Sequence, residues 1–351
     1  MGKIKKLLNK LDAFYIGIDV GGTQIKIGIF NKKKKLVHKL YIDTKVAKRN
    51  SEKAFLDSIF MSIDKYISDN DVGLAKNILL GIGFAMPGPV INNKLLHAVN
   101  INWKKEYDIV SATKKRFGKN IRVCVLNDAN AAALGEYNYT LKGKCESICL
   151  ITLGTGVGTG IIINGKLIEG KSGIAGEVSH IRVDYSDNAV KCNCGNIGCV
   201  ETMASCTGLV SIYNRLANEK STMENVYSKD IKKKYNNNSV GASYASPYSD
   251  NQSNKKGARE IVHLAKRGDS IALNALNISL DYLSKIIVIL MHVYEPEVIL
   301  IGGGMSNAGT IITNIIKKHL KEKVFMTKLL PNIMIAKLKN DAGLYGAVVN
   351  L

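Results

Sequence analysis

The sequence predicts an α/β protein made of two successive α/β segments that share a cleft. Three observations predict it. Apolar runs Phe14–Val20 and Ile25–Phe30 are joined by Gly21-Gly22-Thr23, which reads as strand, tight turn and strand. The same grammar restarts after Lys144: Ser147–Leu153 is apolar, Gly154–Gly160 is glycine-rich, and Ile161–Ile163 is apolar again. Stretches of buried-strand and helical period follow each hairpin, so the chain reads as an internal duplication.

The elements follow in order. Lys33–Ile42 continues the first sheet. Ser51–Ser68 switches to a helical period, with Phe55, Ile59, Ile63 and Ile67 on one face and Ser51 as N-cap. Ile78–Ala85 is a buried-strand run ending at Pro87-Gly88-Pro89, and Ile121–Leu126 is a strand ending at Asn127-Asp128. Ala129–Tyr139 is helical in pattern. Lys220–Lys256 is rich in Asn, Ser, Lys and Tyr with almost no apolar periodicity, and reads as an exposed insertion. Ala258–Tyr294 is helical and stops at Pro296; the strand Val298–Ile301 follows, then Gly302-Gly303-Gly304. Ala342–Leu351 reads as a closing helix. The expected division is a smaller segment, 1–126, completed by the C-terminal helix within 337–351, and a larger one, 127–336, carrying the insertion 220–256.

Bulk properties narrow the function. A length of 351 residues favours two domains, and 46% hydrophobic content supplies real cores. The seven cysteines are an odd number in a chain too long to need disulfide staples. Three of them cluster, while Cys124, Cys145, Cys149 and Cys206 lie in apolar surroundings, a pattern that fits a reducing cytoplasm. The formal charge is +20. Its lysines concentrate in Lys32–Lys35 and Lys232–Lys234 without interleaved aromatics, so they read as solvated faces and not as a nucleic-acid reader. Such charge also attracts anionic nucleotides. The basic start Met1–Leu11 lacks a signal-peptide pattern, Lys6 stands where myristoylation needs Ser or Thr, and Ile286–Met291 is too short to span a bilayer. The expectation is a soluble cytoplasmic protein with no membrane partner and no specific nucleic-acid partner.

Four places can carry chemistry. Asp19-Val20-Gly21-Gly22-Thr23-Gln24-Ile25-Lys26 sits on the first hairpin. Its glycines let backbone N–H groups approach an anion, Thr23 and Lys26 add donors, and Asp19 can hold Mg²⁺ through water. An ordinary tight hairpin with a surface lysine has the same sequence. Gly154-Thr155-Gly156 opens a second candidate phosphate cradle that is neither a Walker A loop nor a dinucleotide fingerprint. Gly302-Gly303-Gly304 is bare enough for a flat ring to lie against backbone. Asn127-Asp128 ends a strand, where α/β sites gather; Asp128 can accept the proton of an attacking hydroxyl, or the pair can cap the next helix.

The strongest signal is Cys192-Asn193-Cys194-Gly195-Asn196-Ile197-Gly198-Cys199-Val200-Glu201 with His180 upstream. Three thiolates and one imidazole make a closed tetrahedral zinc set, structural and not catalytic. Such a clamp would hold Glu177 and Glu201 toward a ligand rich in hydroxyls, where carboxylates accept from sugar.

These motifs together resemble the ROK family (repressors, open reading frames, kinases) over nearly the whole chain, Tyr15 to Ala347, outside the insertion. The most specific parts are Asp19–Thr23, Asn127-Asp128-Ala129-Asn130-Ala131-Ala132 and Cys192–Glu201; Ala98-Val99-Asn100-Ile101-Asn102-Trp103 and Leu134-Gly135-Glu136 extend it. The resemblance implies an actin-like ATPase (ribonuclease H-like) fold, with two α/β domains around a deep cleft. It implies an ATP- and Mg²⁺-dependent kinase with a structural Zn²⁺, a small-molecule sugar as partner, glucose 6-phosphate as product, and a homo-oligomer of two or four chains. By family pattern Asp128 is the base for the sugar 6-hydroxyl. Asn100, Asn127, Glu177, His180 and Glu201 bind the hexose, and His180 also joins Cys192, Cys194 and Cys199 on the metal. Asp19, Gly21, Gly22, Thr23 and Lys26 serve the phosphates with Thr155 and Gly156, and Gly303 lies near the nucleotide. N-acetylmannosamine, N-acetylglucosamine, fructose and allose are the competing sugars. A sugar-responsive DNA-binding repressor is the competing class, although only about fourteen residues precede Tyr15, too few for a recognition-helix module. One departure stands out. The family pattern Gly-Glu-x-Gly-His is here Gly176-Glu177-Val178-Ser179-His180, and a positive φ at Ser179 would cost about 1 kcal/mol.

Overall fold

A computed structural model of the chain describes residues 13–44, 51–69, 78–98, 101–103, 105–235 and 256–351. The basic start, Asn100 and 236–255 therefore lie outside the described residues. The first sheet comprises β1 (Ala13–Val20), β2 (Gln24–Asn31), β3 (Leu36–Asp43), β4 (Ile78–Met86) and, beyond a small hairpin β5 (Val90–Ile91) and β6 (Lys94–Leu95), β7 (Arg122–Asn127). Its order is β3-β2-β1-β4-β7. The first three strands are antiparallel, and β4 and β7 add in parallel. The second sheet repeats this plan with β8 (Ile148–Leu153), β9 (Val157–Ile163), β10 (Lys166–Leu167), β11 (Val298–Gly302) and β12 (Asn332–Ile335), in the order β10-β9-β8-β11-β12. Strand senses match throughout: β8, β9 and β10 are antiparallel and β11 and β12 parallel. The duplication inferred from two glycine hairpins is thus present as two sheets of one topology, as the actin-like fold requires.

The central strands are almost continuously apolar because helices cover both faces. On the outer face of the first sheet lie α1 (Glu52–Asp69) and α2 (Ile109–Phe117), with Phe55, Ile59 and Ile63 of α1 buried as the period predicts. Between the two sheets lies a pair of helices rich in small residues, α3 (Asp128–Gly135) and, at the end of the chain, α9 (Ala342–Val349). The second lobe adds α4 (Val200–Ala204), α5 (Cys206–Tyr235), α6 (Ala258–Lys266), α7 (Ser270–Tyr294) and α8 (Thr310–Lys323).

The inner helix pair connects fold to function. A Cβ on Gly83 of β4 would strike the Ala347 carbonyl, so α9 lies directly on the first sheet. A Cβ on Gly346 would strike the Ala131 carbonyl, so α3 lies directly on α9. On its other side α3 touches the second sheet, where a Cβ on Gly160 would meet Ala129 and Ala133. The layers therefore run first sheet, α9, α3, second sheet. Asp128 opens α3, and its preceding strand β7 belongs to the first sheet. One residue is thereby fixed to both lobes.

Three elements differ from the sequence expectation. The helix expected over 258–294 is two helices, because Gly268 takes φ +89° and Asp269 caps α7 by accepting the Ala272 amide at 2.8 Å. The helix expected to end at Tyr139 leaves α-geometry after Gly135 and continues as a π turn over Glu136–Leu141. The helix α5 continues to Tyr235, so the beginning of the segment read as an insertion is helical. Among the described residues one helix, α7, is long and apolar enough to cross a membrane, and Leu276, Leu280, Leu283, Ile287 and Leu290 along it are buried in the second core.

Candidate active site

The carboxyl ends of the parallel strands carry the expected residues. Asp19 is the last residue but one of β1, and Asn127 ends β7; β4 lies between, placing them two strand spacings of about 4.8 Å apart. Asn127 is the N-cap of α3: its Oδ1 accepts the amides of Ala129 and Asn130 at 2.9 and 3.1 Å, and its Nδ2 donates to the Gly88 carbonyl at 3.2 Å. The capping role foreseen as an alternative is therefore real, and it falls on Asn127. Asp128 then sits in the first helical turn with one oxygen 2.8 Å from the Ala129 amide. Burial first, then the nearby Asp19 charge and the Glu177 charge, push its carboxyl up to about 7, against the downward pull of that amide. Acids from three separate motifs are thus close enough to interact electrostatically.

The first hairpin is rigid. The Gly21 amide donates to the Gln24 carbonyl at 3.1 Å, and Thr44 ties the turn from outside through its hydroxyl to Gly21 and its amide to Thr23. The amides of Gly22 and Thr23 make no hydrogen bond among the described residues. Lys26 donates to Asp19 Oδ2 at 2.8 Å and to the Asn340 carbonyl at 2.6 Å. It is therefore oriented by the chain itself, and the sequence alone did not reveal that pairing.

The second hairpin turns at Gly154-Thr155-Gly156, while Val157–Ile163 is all strand. Its amides at Thr155 and Gly156 are likewise without a partner among the described residues. It is pinned to α5 by Cys206, whose amide donates to Gly154 at 2.8 Å, and by the Thr207 hydroxyl, which donates to the Thr155 carbonyl at 2.9 Å. Gly303 takes φ +77°, and a Cβ there would meet the Leu153 backbone at 2.5 Å. That glycine holds the end of β11 against the end of β8, next to the second hairpin.

His180, Cys192, Cys194 and Cys199 converge as expected, with ligand atoms all within 4.8 Å of one another. Cys194 and Cys199 sulfurs are 3.6 Å apart, and Cys192 Sγ is 3.8 Å from His180 Nδ1. A tetrahedral zinc with bonds of about 2.0–2.3 Å needs ligand separations of about 3.5–3.8 Å, so this donor set fits that ion. Nδ1 of His180 faces the thiols, while Nε2 faces Glu177 Oε2 at 3.9 Å. Burial raises the Glu177 carboxyl above its usual range, opposed by His180 and assisted by Glu201.

Glu201 joins the clamp to the second hairpin. Cys199 is the N-cap of α4, and Glu201 occupies the first turn, where a helix dipole favours an acid. Its Oε2 accepts the Val157 amide at 3.0 Å, and its Oε1 lies 3.7 Å from Cys192 Sγ. A Cβ on Gly156 would strike this carboxylate. The bareness of Gly156 therefore seats Glu201 as well as leaving an amide free. Ser179 carries none of the anticipated strain: it lies in a 3₁₀ turn, Val178–His180, and is absent from the residues with positive φ. The glycine this turn requires is Gly176, at φ +95°, where a Cβ would meet the Thr159 carbonyl at 2.9 Å.

Comparison with known proteins agrees with this geometry. The ROK family model matches residues 15–350. A glucokinase of Halalkalibacterium halodurans is 34% identical over 346 residues, covering 95% of this chain and 94% of that protein. A xylose repressor of Caldicellulosiruptor bescii is 27% identical, covering 97% of this chain and 78% of that protein. Among solved structures, a ROK family glucokinase of Streptomyces griseus in complex with glucose and AMPPNP superposes with a TM-score of 0.72 at 28% identity, covering 95% of this chain and 97% of that one.

Proposed function

The chain belongs to the ROK family, and from that premise we propose that it is a cytoplasmic kinase transferring the terminal phosphoryl group of ATP to the 6-hydroxyl of glucose. The observation that carries the reading is Asp128, a carboxyl held near neutral pH at the junction of both lobes, close enough to Asp19 and Glu177 to feel both charges. A base of that strength is matched to a sugar hydroxyl at physiological pH.

In this reading Asp128 accepts the proton as the 6-oxygen bonds to the γ-phosphorus and the bridge to ADP breaks. Asn100, Asn127, Glu177, His180 and Glu201 take the remaining hydroxyls. Because Asn127 Oδ1 already accepts two amides and one N–H already serves Gly88, its contact would use the second N–H of Nδ2. The free amides of Gly22, Thr23, Thr155 and Gly156 receive phosphate oxygens, and Gly303 borders the base. Asp19 and Lys26 form the charged floor, and Mg²⁺ would be held by Asp19 through water. Bound zinc would supply orientation only, since four protein ligands complete its shell. Phosphoryl transfer asks for positioning, charge neutralisation and a base, which these residues are arranged to supply. The similarity to a xylose repressor leaves sensing as the other reading; retention of Asp128 between two amide-bearing hairpins favours turnover.

A coupled assay with ATP and Mg²⁺ across glucose, N-acetylmannosamine, N-acetylglucosamine, fructose and allose tests the reading. Glucose should give the highest kcat/KM. Equal or better turnover of an N-acetyl sugar would overturn the choice of glucose, and no turnover with any sugar would overturn the kinase.

A further inference from the structure

Glu136 is fully buried in the π turn directly after α3, and the proposed reaction gives it no task. Its Oε1 accepts the Leu338 amide at 2.5 Å. Its Oε2 is buried with no hydrogen-bond partner among the described residues. The bond reaches from the end of the helix that opens with Asp128 to the segment between β12 and α9. A π turn widens a helix and re-aims the side chains on it, and such turns are frequent at functional sites. The Leu338 amide has no other acceptor among the described residues.

The segment that Glu136 holds underlies the first hairpin. Just past Leu338, the Asn340 carbonyl accepts Lys26 Nζ at 2.6 Å, and Lys26 also donates to Asp19 at 2.8 Å. The helix α9 starts next, and a Cβ on Gly343 in its first turn would stand 2.9 Å from Asp19 Cγ. A helix N-terminus there favours the Asp19 charge. Between Leu338 and Asn340, Lys339 stands at φ +52°, a left-handed conformation that favours glycine. Such a residue persists only where its surroundings hold it. Here the holders are the Glu136–Leu338 and Lys26–Asn340 bonds, with Lys39 on Asp341 at 2.8 Å beyond them. Without the first bond the turn can relax and draw Asn340 away from Lys26.

We propose that Glu136 is a positioning residue for the phosphate end of the site, a role that rests on the reading of Asp19 and Lys26 as its charged floor. By holding the Leu338 amide it fixes Asn340 on Lys26 and the start of α9 beside Asp19. Binding of the magnesium nucleotide then need not order these groups first. The effect belongs to the nucleotide and not to the sugar, because Asn127 is held by Gly88 and the start of α3, and Glu201 by the Val157 amide. Glu136 supplies an acceptor in one place, so glutamine serves there and alanine does not.

The test is calorimetric titration of the full chain with the magnesium complex of a non-hydrolysable ATP analogue, and separately with glucose, alongside amide hydrogen exchange over residues 336–341. Glu136→Ala should weaken binding of the analogue by about tenfold or more. It should leave glucose affinity within about twofold, as for distant sites, and speed exchange over 336–341 while the second hairpin exchanges as before. Glu136→Gln should bind the analogue like wild type. Leu338→Pro removes the donor instead, at a residue whose φ of −72° suits proline, and carries the test if the alanine variant does not fold. It should reproduce the alanine loss, and the double variant Glu136→Ala/Leu338→Pro should be no worse than the weaker single variant. Thr113→Val removes a buried hydroxyl that donates to the Ile109 carbonyl at 2.7 Å in α2, and controls for general loss of stability; it should bind the analogue like wild type. Equal loss in that control, equal loss of glucose and nucleotide affinity in Glu136→Ala, or a glutamine variant as weak as the alanine one would overturn the proposal. Failure of the wild type to bind the analogue would instead count against the ATP reading. Exchange over 336–341 would then decide the anchor, and unchanged exchange in Glu136→Ala would overturn it.

Discussion

Asp128→Asn is expected to lower kcat by about 10³-fold, within the usual contribution of a positioned general base, while glucose still binds. Asparagine keeps the shape and the helix start, because the cap belongs to Asn127. It removes the proton acceptor alone. The pH profile of the wild type supplies the companion result. Only the ionised carboxylate can accept a proton, and burial with Asp19 nearby places that ionisation at about 7. Activity should therefore fall as pH drops through about 7 and level off above it. Stability should move the opposite way. A folded-state value raised above the unfolded one means the folded chain keeps a proton that the unfolded chain has lost. The group's contribution is most favourable below the ordinary carboxylate range and diminishes as pH rises to about 7. Asp128→Asn should accordingly melt at a higher temperature than wild type at pH 8, with a smaller difference at pH 4. A near-normal rate in this variant would show that Asp128 is not the base.

Cys194→Ser is expected to release the metal and weaken glucose binding by about 10–100-fold, the usual cost of disturbing groups that a metal orients. Cys194 is exposed, so the change leaves core packing alone. Its sulfur is 3.6 Å from Cys199, the residue that caps α4 and starts the turn carrying Glu201. Loosening that start frees Glu201 from the Val157 amide. It also frees His180, whose Nδ1 faces the thiols and whose Nε2 faces Glu177. The loss should therefore appear in the sugar affinity more than in kcat, since Asp128 is carried by β7 and α3. Elemental analysis should find one zinc per wild-type chain and none in the variant. A zinc-free wild type that binds glucose normally would contradict this role.

The parts of the site legible in the sequence are those written contiguously. Glycine turns between apolar runs announce both hairpins, and the Cys192–Cys199 spacing with His180 announces a metal clamp. Asp128 is visible because a strand ends there. What was hidden depends on contacts across the chain. Nothing near Gly346 signals that Ala131 will lie against it, yet this contact sets α3 between the sheets. Lys26 reads as a free phosphate donor until Asp19 and the distant Asn340 are seen to hold it. Gly156 reads as a phosphate glycine until Glu201 folds onto it. The expected strain at Ser179 assumed a glycine-like turn, whereas the chain makes that bend at Gly176. The helix α8 carries Ile312, Ile316 and Leu320 on one face, a period present in the sequence but attached to no motif.

The central claim is that a metal-fastened cluster of acids presents the sugar to Asp128 while two backbone hairpins present the triphosphate. The most direct measurement is a crystal structure of the full chain with glucose and a non-hydrolysable ATP analogue, recorded at the zinc edge. It should show one anomalous peak among His180, Cys192, Cys194 and Cys199, with the glucose 6-hydroxyl within hydrogen-bond reach of Asp128. Glucose bound away from Asp128, or an empty thiol cluster beside a fully seated sugar, would contradict the account.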